Sequence, residues 1–340
     1  MQLRYDPIKK RWVVFAPERG ERGDYLILQK EVEDDPEYCP FCPGHESYTG
    51  RSLHEDTGII DGKKVWLTRV IPNKFPLLKV EETDGIKQYG PYAYSSRLGA
   101  HEVIIDSRTH GLKIFDYQMD DFIRLFNAVI VRISDLRKDV RLKYITMIKN
   151  CGKVAGATLS HPHSQIVAFP FLPNEVKNIW KNLYEYYYVN NRCLVCDILN
   201  FELEKKERII VKNDFFVAYS PYAPRHSFEV HVVPVIHTND FIGLKDYEKV
   251  KLAEVMIDVL KRYNVALDGA SLNINLINTA CNIDIPELEF SKYKERFFHW
   301  YIELIPRINR IGGIEKGTGV YVNPFLPEKC TEILSGINII

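Results

Sequence analysis

Two of the chain's ten histidines, His161 and His163, stand one residue apart within Thr158-Leu159-Ser160-His161-Pro162-His163-Ser164-Gln165-Ile166-Val167-Ala168-Phe169. The apolar Ile166-Val167-Ala168-Phe169 tail reads as a buried strand, and alternate side chains of a strand share a face. His161, His163 and Gln165 therefore point the same way, with successive positions roughly 6 to 7 Å apart. A neutral imidazole is a good nucleophile toward phosphorus once one ring nitrogen is hydrogen-bonded and the other faces the substrate. The phosphoryl group then needs donors where charge accumulates. Gln165 offers an amide N–H, and the loop from Asn150 through Gly152, Lys153 and Gly156 to Thr158 offers small residues, a lysine and a hydroxyl.

Four of the seven cysteines form two pairs, Cys39-Pro40-Phe41-Cys42 and Cys193-Leu194-Val195-Cys196. With no secretory signal ahead of them, such pairs read as halves of zinc sites or as redox motifs. A redox motif is followed by a helix, whereas Cys42 is followed by the loop residues Pro43-Gly44-His45-Glu46, which favours metal. Zinc takes four thiolate or imidazole ligands in a tetrahedron. His110 and His161 complete a set with Cys39 and Cys42; His237 and His299 complete a second with Cys193 and Cys196. With every position filled, both sites are structural, and His163 is left free beside the first. Cys151, Cys281 and Cys330 read as core thiols. His45, His54, His226 and His231 read as loop or strand-face residues without a metal role, and His101 has no partner in the repeat described next.

The elements that must position these groups are written twice. After the first cysteine pair comes a strand-like Val65–Ile71 and then a block from His101 to His110 containing Glu102-Val103. After the second comes Phe215–Tyr219 and then Phe228 to His237, containing Glu229-Val230. In each block a histidine stands eight residues past the glutamate. Apolar residues recurring at three and four predict helices over Tyr117–Lys138 and Tyr247–Tyr263. Strand pairs close each half, so that His299 matches His161, Tyr301 replaces His163 and Glu303 replaces Gln165. The expectation is an α+β protein made of one unit duplicated, mostly antiparallel sheet with helices packed on it. Residues 1–175 form the half with the nucleophile and 176–340 a degenerate half, joined by a helical linker over Asn174–Arg192.

Composition sets the outer limits. The 340 residues are 46% hydrophobic and 26% charged, enough for two medium domains or one large one. Forty-five basic residues balance forty-five acidic ones, which gives no footprint for nucleic acid. No apolar run approaches the roughly 18 to 20 residues of a membrane span, and the amino terminus lacks a signal-peptide layout, so the expected location is the cytoplasm.

His161-Pro162-His163-Ser164-Gln165 resembles the signature of the histidine-triad superfamily in its transferase branch. Leu3-Arg4-Tyr5-Asp6-Pro7-Ile8, Ala16-Pro17-Glu18-Arg19-Gly20-Glu21-Arg22, Pro72-Asn73, Phe171-Leu172-Pro173-Asn174-Glu175 and Gly317-Thr318-Gly319-Val320-Tyr321-Val322-Asn323-Pro324 extend the resemblance to the galactose-1-phosphate uridylyltransferase family. The resemblance implies a double displacement. His163 attacks the α-phosphorus of UDP-glucose, expels the sugar 1-phosphate and passes the uridylyl group to a second hexose 1-phosphate such as galactose 1-phosphate, with Gln165 holding the nucleotidyl phosphate. It further implies that Arg19, Arg22, Asn73, Asn150 and Thr158 contact nucleotide or phosphate, that Gly317, Tyr321 and Asn323 serve the sugar across a homodimer, and that Zn2+ is bound. The second cysteine pair resembles a branch with two zinc sites that includes ADP-glucose phosphorylases, which makes adenylyl transfer the alternative. A zinc-stabilised nucleotide-binding protein is the reading without catalysis.

Overall fold

Runs rich in valine, isoleucine and aromatic residues become strands here, as a pleated, half-buried surface favours. The computed structural model describes residues 1–20, 34–83, 85–283 and 286–339. The first half supplies β1 (Gln2–Asp6), β2 (Arg11–Phe15), β3 (His54–Ile60), β4 (Lys63–Pro72), β5 (Ile86–Tyr89), β6 (Tyr92–Ser95), β7 (Ala100–Ile105), β8 (Tyr144–Cys151) and β9 (His163–Phe169). The second supplies β10 (Ile209–Lys212), β11 (Phe216–Tyr219), β12 (Val230–Pro234), β13 (Leu272–Ile277), β14 (Tyr301–Pro306) and β15 (Tyr321–Asn323).

Ten of these strands make one sheet in the order β10-β11-β12-β14-β13-β8-β9-β7-β4-β3. Its centre is the antiparallel pair β8 and β13, with Asn150 opposite Asn273. Outward from that pair the order β8-β9-β7-β4 on one side matches β13-β14-β12-β11 on the other. The duplicated unit of the sequence is thus present as two half-sheets joined edge to edge, which leaves neither central edge strand unpaired.

The long helices run Met119–Leu136 and Asp246–Leu267 and pack against each other. In the first, Phe122, Leu125, Phe126, Val129 and Ile133 are buried at spacings of three and four, the pattern that defines the expected helix. Truncating a side chain such as Phe126, which is 1% exposed, would cost about 3 to 5 kcal/mol. The linker is a helix over Asn174–Asn190, closed by Asn191 in the left-handed region at φ 51°. Among the described residues no helix is long and apolar enough to cross a membrane.

Strand pairing corrects the repeat by one residue. Val103 lies opposite Gln165, and His231 lies opposite Glu303. Since Gln165 and Glu303 correspond, the counterpart of Val103 is His231, and that of His101 is Glu229. The shared Glu-Val dipeptide is therefore not an equivalence. Glu102 belongs to the opposite face of β7, where Arg132 of the long helix donates to its two oxygens at 2.8 and 2.7 Å.

Candidate active site and metal centres

The loop between β8 and β9 sets the floor of the site. Gly152 and Gly156 take φ values of 87° and 95°, a conformation that side-chain-bearing residues rarely adopt, and they fold the chain back toward β9. Asn273 Nδ2 on β13 donates at 2.8 Å both to Asn150 Oδ1 and to the Ala155 carbonyl, which ties this loop to the other half of the protein. Asn150, Thr158 and His163 line a cavity of about 520 Å³.

His163 opens β9. Its Nδ1 donates to the His161 carbonyl at 2.9 Å, which leaves Nε2 as the ring's lone-pair nitrogen. Burial pushes the imidazole pKa down, so the ring is held neutral, the form that can act as a nucleophile. The main chain of this segment is pinned from the opposite face of the sheet. Lys149 Nζ donates to the His163 carbonyl at 3.1 Å and to Asp106 Oδ2 at 2.7 Å. Ser164 Oγ and Tyr117 Oη donate to the same carboxylate oxygen at 3.0 and 2.8 Å. This buried pair is not among the expected site residues, although a lysine within the mostly apolar first part of β8 signals it.

Gln165 follows on the same strand face. Its Oε1 lies 2.7 Å from Nε2 of His101, the histidine that sequence reasoning could not assign. The Leu77 backbone N–H donates to His101 Nδ1 at 3.1 Å, so the proton of the imidazole resides on Nε2 and is donated to Gln165. Asn73 adjoins the pair, its Nδ2 being 3.2 Å from His101 Nε2.

The two expected metal sets are each brought together. Cys39, Cys42, His110 and His161 offer ligand atoms all within 4.8 Å of one another, as do Cys193, Cys196, His237 and His299. Cys42 Sγ lies 3.3 Å from His110 Nδ1 and 3.5 Å from His161 Nδ1. Cys196 Sγ lies 3.2 Å from His237 Nδ1 and 3.4 Å from His299 Nδ1. The outward nitrogens of His161, His110 and His237 donate to the carbonyls of Ser107, Asp34 and Glu295, each at 2.9 Å. Acceptors that orient an imidazole in this way are what a ligated histidine uses, and two thiols with two imidazoles suit Zn2+. An ion bound there would brace the cysteine loop against β9.

The remaining expected residues lie elsewhere. Arg22 falls outside the described residues. Arg19, in the short helix Pro17–Gly20, does not line the His163 cavity, nor do Gly317, Tyr321 or Asn323. Asn323 is buried, accepting from Ser227 Oγ at 2.8 Å and donating to the Pro224 carbonyl at 3.1 Å. In the second half the places of His163 and Gln165 are held by Tyr301 and Glu303, and Glu303 is paired with the buried Lys9 from the turn between β1 and β2. His231, expected on a strand face, is there but buried, with Nε2 3.3 Å from Glu229 Oε1 and 3.7 Å from Glu303 Oε1.

The family model described as galactose-1-phosphate uridyl transferase, N-terminal domain, matches residues 1–173. An ADP-glucose phosphorylase of Arabidopsis thaliana is 27% identical over 342 residues, covering 99% of this chain and 93% of that protein. A galactose-1-phosphate uridylyltransferase of Thermotoga maritima is 27% identical over 341 residues, covering 98% of each. Among solved structures, an Arabidopsis ADP-glucose phosphorylase with bound ADP-glucose superimposes with a TM-score of 0.82 at 26% identity over 99% of each chain. A uridylyltransferase superimposes with a TM-score of 0.75 at 21% identity, a likeness of fold. With a match over more than half of its length, a bare imidazole nitrogen on β9 and a glutamine beside it, this chain belongs to the galactose-1-phosphate uridyl transferase family.

Proposed function

We propose that the protein transfers a nucleotidyl group from a nucleoside-diphosphate sugar to a phosphate-bearing acceptor, with His163 as the carrier. Nε2 attacks the α-phosphorus; the N–P bond forms as the bond from that phosphorus to the bridging oxygen breaks, and sugar 1-phosphate leaves with the electron pair. An oxygen of the acceptor phosphate then attacks the same phosphorus and frees the imidazole. Gln165, turned by His101, directs its amide N–H2 toward the phosphoryl oxygens on which charge gathers. The single observation that carries this reading is the Nδ1 bond of His163 to the His161 carbonyl, which leaves Nε2 as the nucleophile at the edge of a ligand-sized cavity.

The first donor and acceptor to try are UDP-glucose and galactose 1-phosphate, as the signature and the Thermotoga relative suggest. ADP-glucose is the second donor, favoured by the whole-chain superposition on a structure that holds it. The tail residues Gly317 and Tyr321 would serve the sugar at the cavity of a second subunit in a homodimer, with the buried Asn323 fixing the turn that presents them, and Arg19 and Arg22 would contact nucleotide or phosphate. The test is isotope exchange. With labelled glucose 1-phosphate as the sole acceptor, label should enter the nucleotide sugar in the wild type and not in His163→Ala. Exchange that survives this substitution would remove His163 from the reaction.

A further inference from the structure

Arg11 at the start of β2, Arg225 before β12 and Arg307 after β14 close round Tyr321 in the second half of the protein. The guanidinium carbons of Arg11 and Arg225 lie 5.5 and 5.9 Å from the centre of the Tyr321 ring, and the His226 ring lies 6.0 Å from it. Arg307 lies close enough to Arg225 that burial and the neighbouring guanidinium together push its pKa down.

Carboxylates lie close by, Glu303 and Glu229 beside Arg225 and Asp6 beside Arg11, yet four donor atoms of the cluster reach none of them. The Nε atoms of Arg11, Arg225 and Arg307 are all buried without a hydrogen-bond partner, and so is Nδ2 of Asn309, whose Oδ1 is taken by the Ser227 N–H at 3.0 Å. All four are donors. Arg11 reaches Asp6 only at 3.5 Å, and Arg225 reaches Glu303, already occupied by Lys9, at 3.4 Å. No carboxylate among the described residues bears on the charge of Arg307. Buried donors left without acceptors are costly, and an anion presenting several oxygens would satisfy them together. Planar N–H forks match the oxygens of phosphate in particular.

We propose that Arg11, Arg225 and Arg307 form a phosphate-binding site outside the His163 cavity. None of the three lines that cavity, yet the two adjoin: the Arg307 backbone N–H donates to the Ser271 carbonyl at 2.8 Å, and Ser271 is on the cavity wall. The phosphate is either inorganic or carried on a sugar, since the same donors would take both.

Calorimetric titration of the full-length protein with inorganic phosphate and, separately, with glucose 1-phosphate tests this without any turnover. At least one of the two should bind the wild type with an affinity that falls about 30-fold in Arg307→Met and is kept in His163→Ala. Dependence for both anions makes the ligand the bare phosphate group; dependence for glucose 1-phosphate alone makes it a sugar phosphate. Melting provides the second readout. In phosphate-free buffer Arg307→Met should melt no lower than the wild type, because a repelling cation is gone, while the phosphate-induced rise in Tm is lost. Should Arg307→Met not fold, Arg11→Met carries the same comparison. Wild-type affinity for both anions in the arginine variant, or no binding of either by the wild type, would overturn the proposal.

Discussion

His101 and Gln165 meet across β7 and β9 with Nε2 and Oε1 2.7 Å apart, and the Leu77 N–H on Nδ1 settles which of them donates. An amide whose oxygen is occupied has only its N–H2 to offer, so the histidine decides what the glutamine shows to a ligand. His101→Leu removes that restraint. Losing one orienting hydrogen bond, about 1 to 1.5 kcal/mol, should lower kcat roughly tenfold and leave the dissociation constant of the nucleotide sugar unchanged. Steady-state kinetics with a separate binding titration checks this, and an unchanged kcat would show that Gln165 holds its orientation alone.

The two Cys2His2 sets should each hold one ion, giving two Zn2+ per chain by elemental analysis. Cys39→Ser and Cys193→Ser should each reduce the content to one and lower Tm, since metal binding to such a set is also folding free energy. Unchanged metal content and Tm in Cys193→Ser would mean that the second set is a remnant of the duplication.

Acid should weaken the fold through Glu303. Burial pushes this carboxyl up, but Lys9 and Arg225 more than reverse the effect and hold it at about 2, against an ordinary value of 4.5. The folded protein thus binds this proton less readily than the unfolded chain. Its contribution is complete above about pH 4.5 and is lost as pH falls toward 2. In Glu303→Gln, unfolding free energy from denaturant titration should fall less steeply over that window. At pH 7 the variant should be less stable by about 3 kcal/mol, because the Lys9 ammonium is left buried without its partner. A variant with the wild-type pH dependence would place the acid-sensitive charge elsewhere.

Much of this architecture was legible in the sequence because the repeat was visible twice. The two cysteine pairs, the histidines that close each block, and the substitution of Tyr301 and Glu303 for His163 and Gln165 all follow from spacing along one chain. The role of His101 did not, because it depends on register. The Glu-Val match suggested one alignment of β7 and β12, and strand pairing shows that it is off by a single residue, which moves every side chain to the other face. Lys149 and Asp106 were hidden for a related reason. They sit 43 positions apart and become one ion pair only when β8 and the end of β7 flank β9. Arg11, Arg225 and Arg307 come from three separate segments, and nothing in their local sequence announces that their donors lack acceptors.

The most direct test of the central claim is the intact mass of the protein after incubation with UDP-glucose or ADP-glucose, with released glucose 1-phosphate removed enzymatically. The wild type should gain the mass of one uridylyl or adenylyl group on His163, according to the donor, and His163→Ala should gain none. A wild-type protein that turns over either donor without any gain in mass, or a variant that gains it as fully as the wild type, would remove His163 as the carrier.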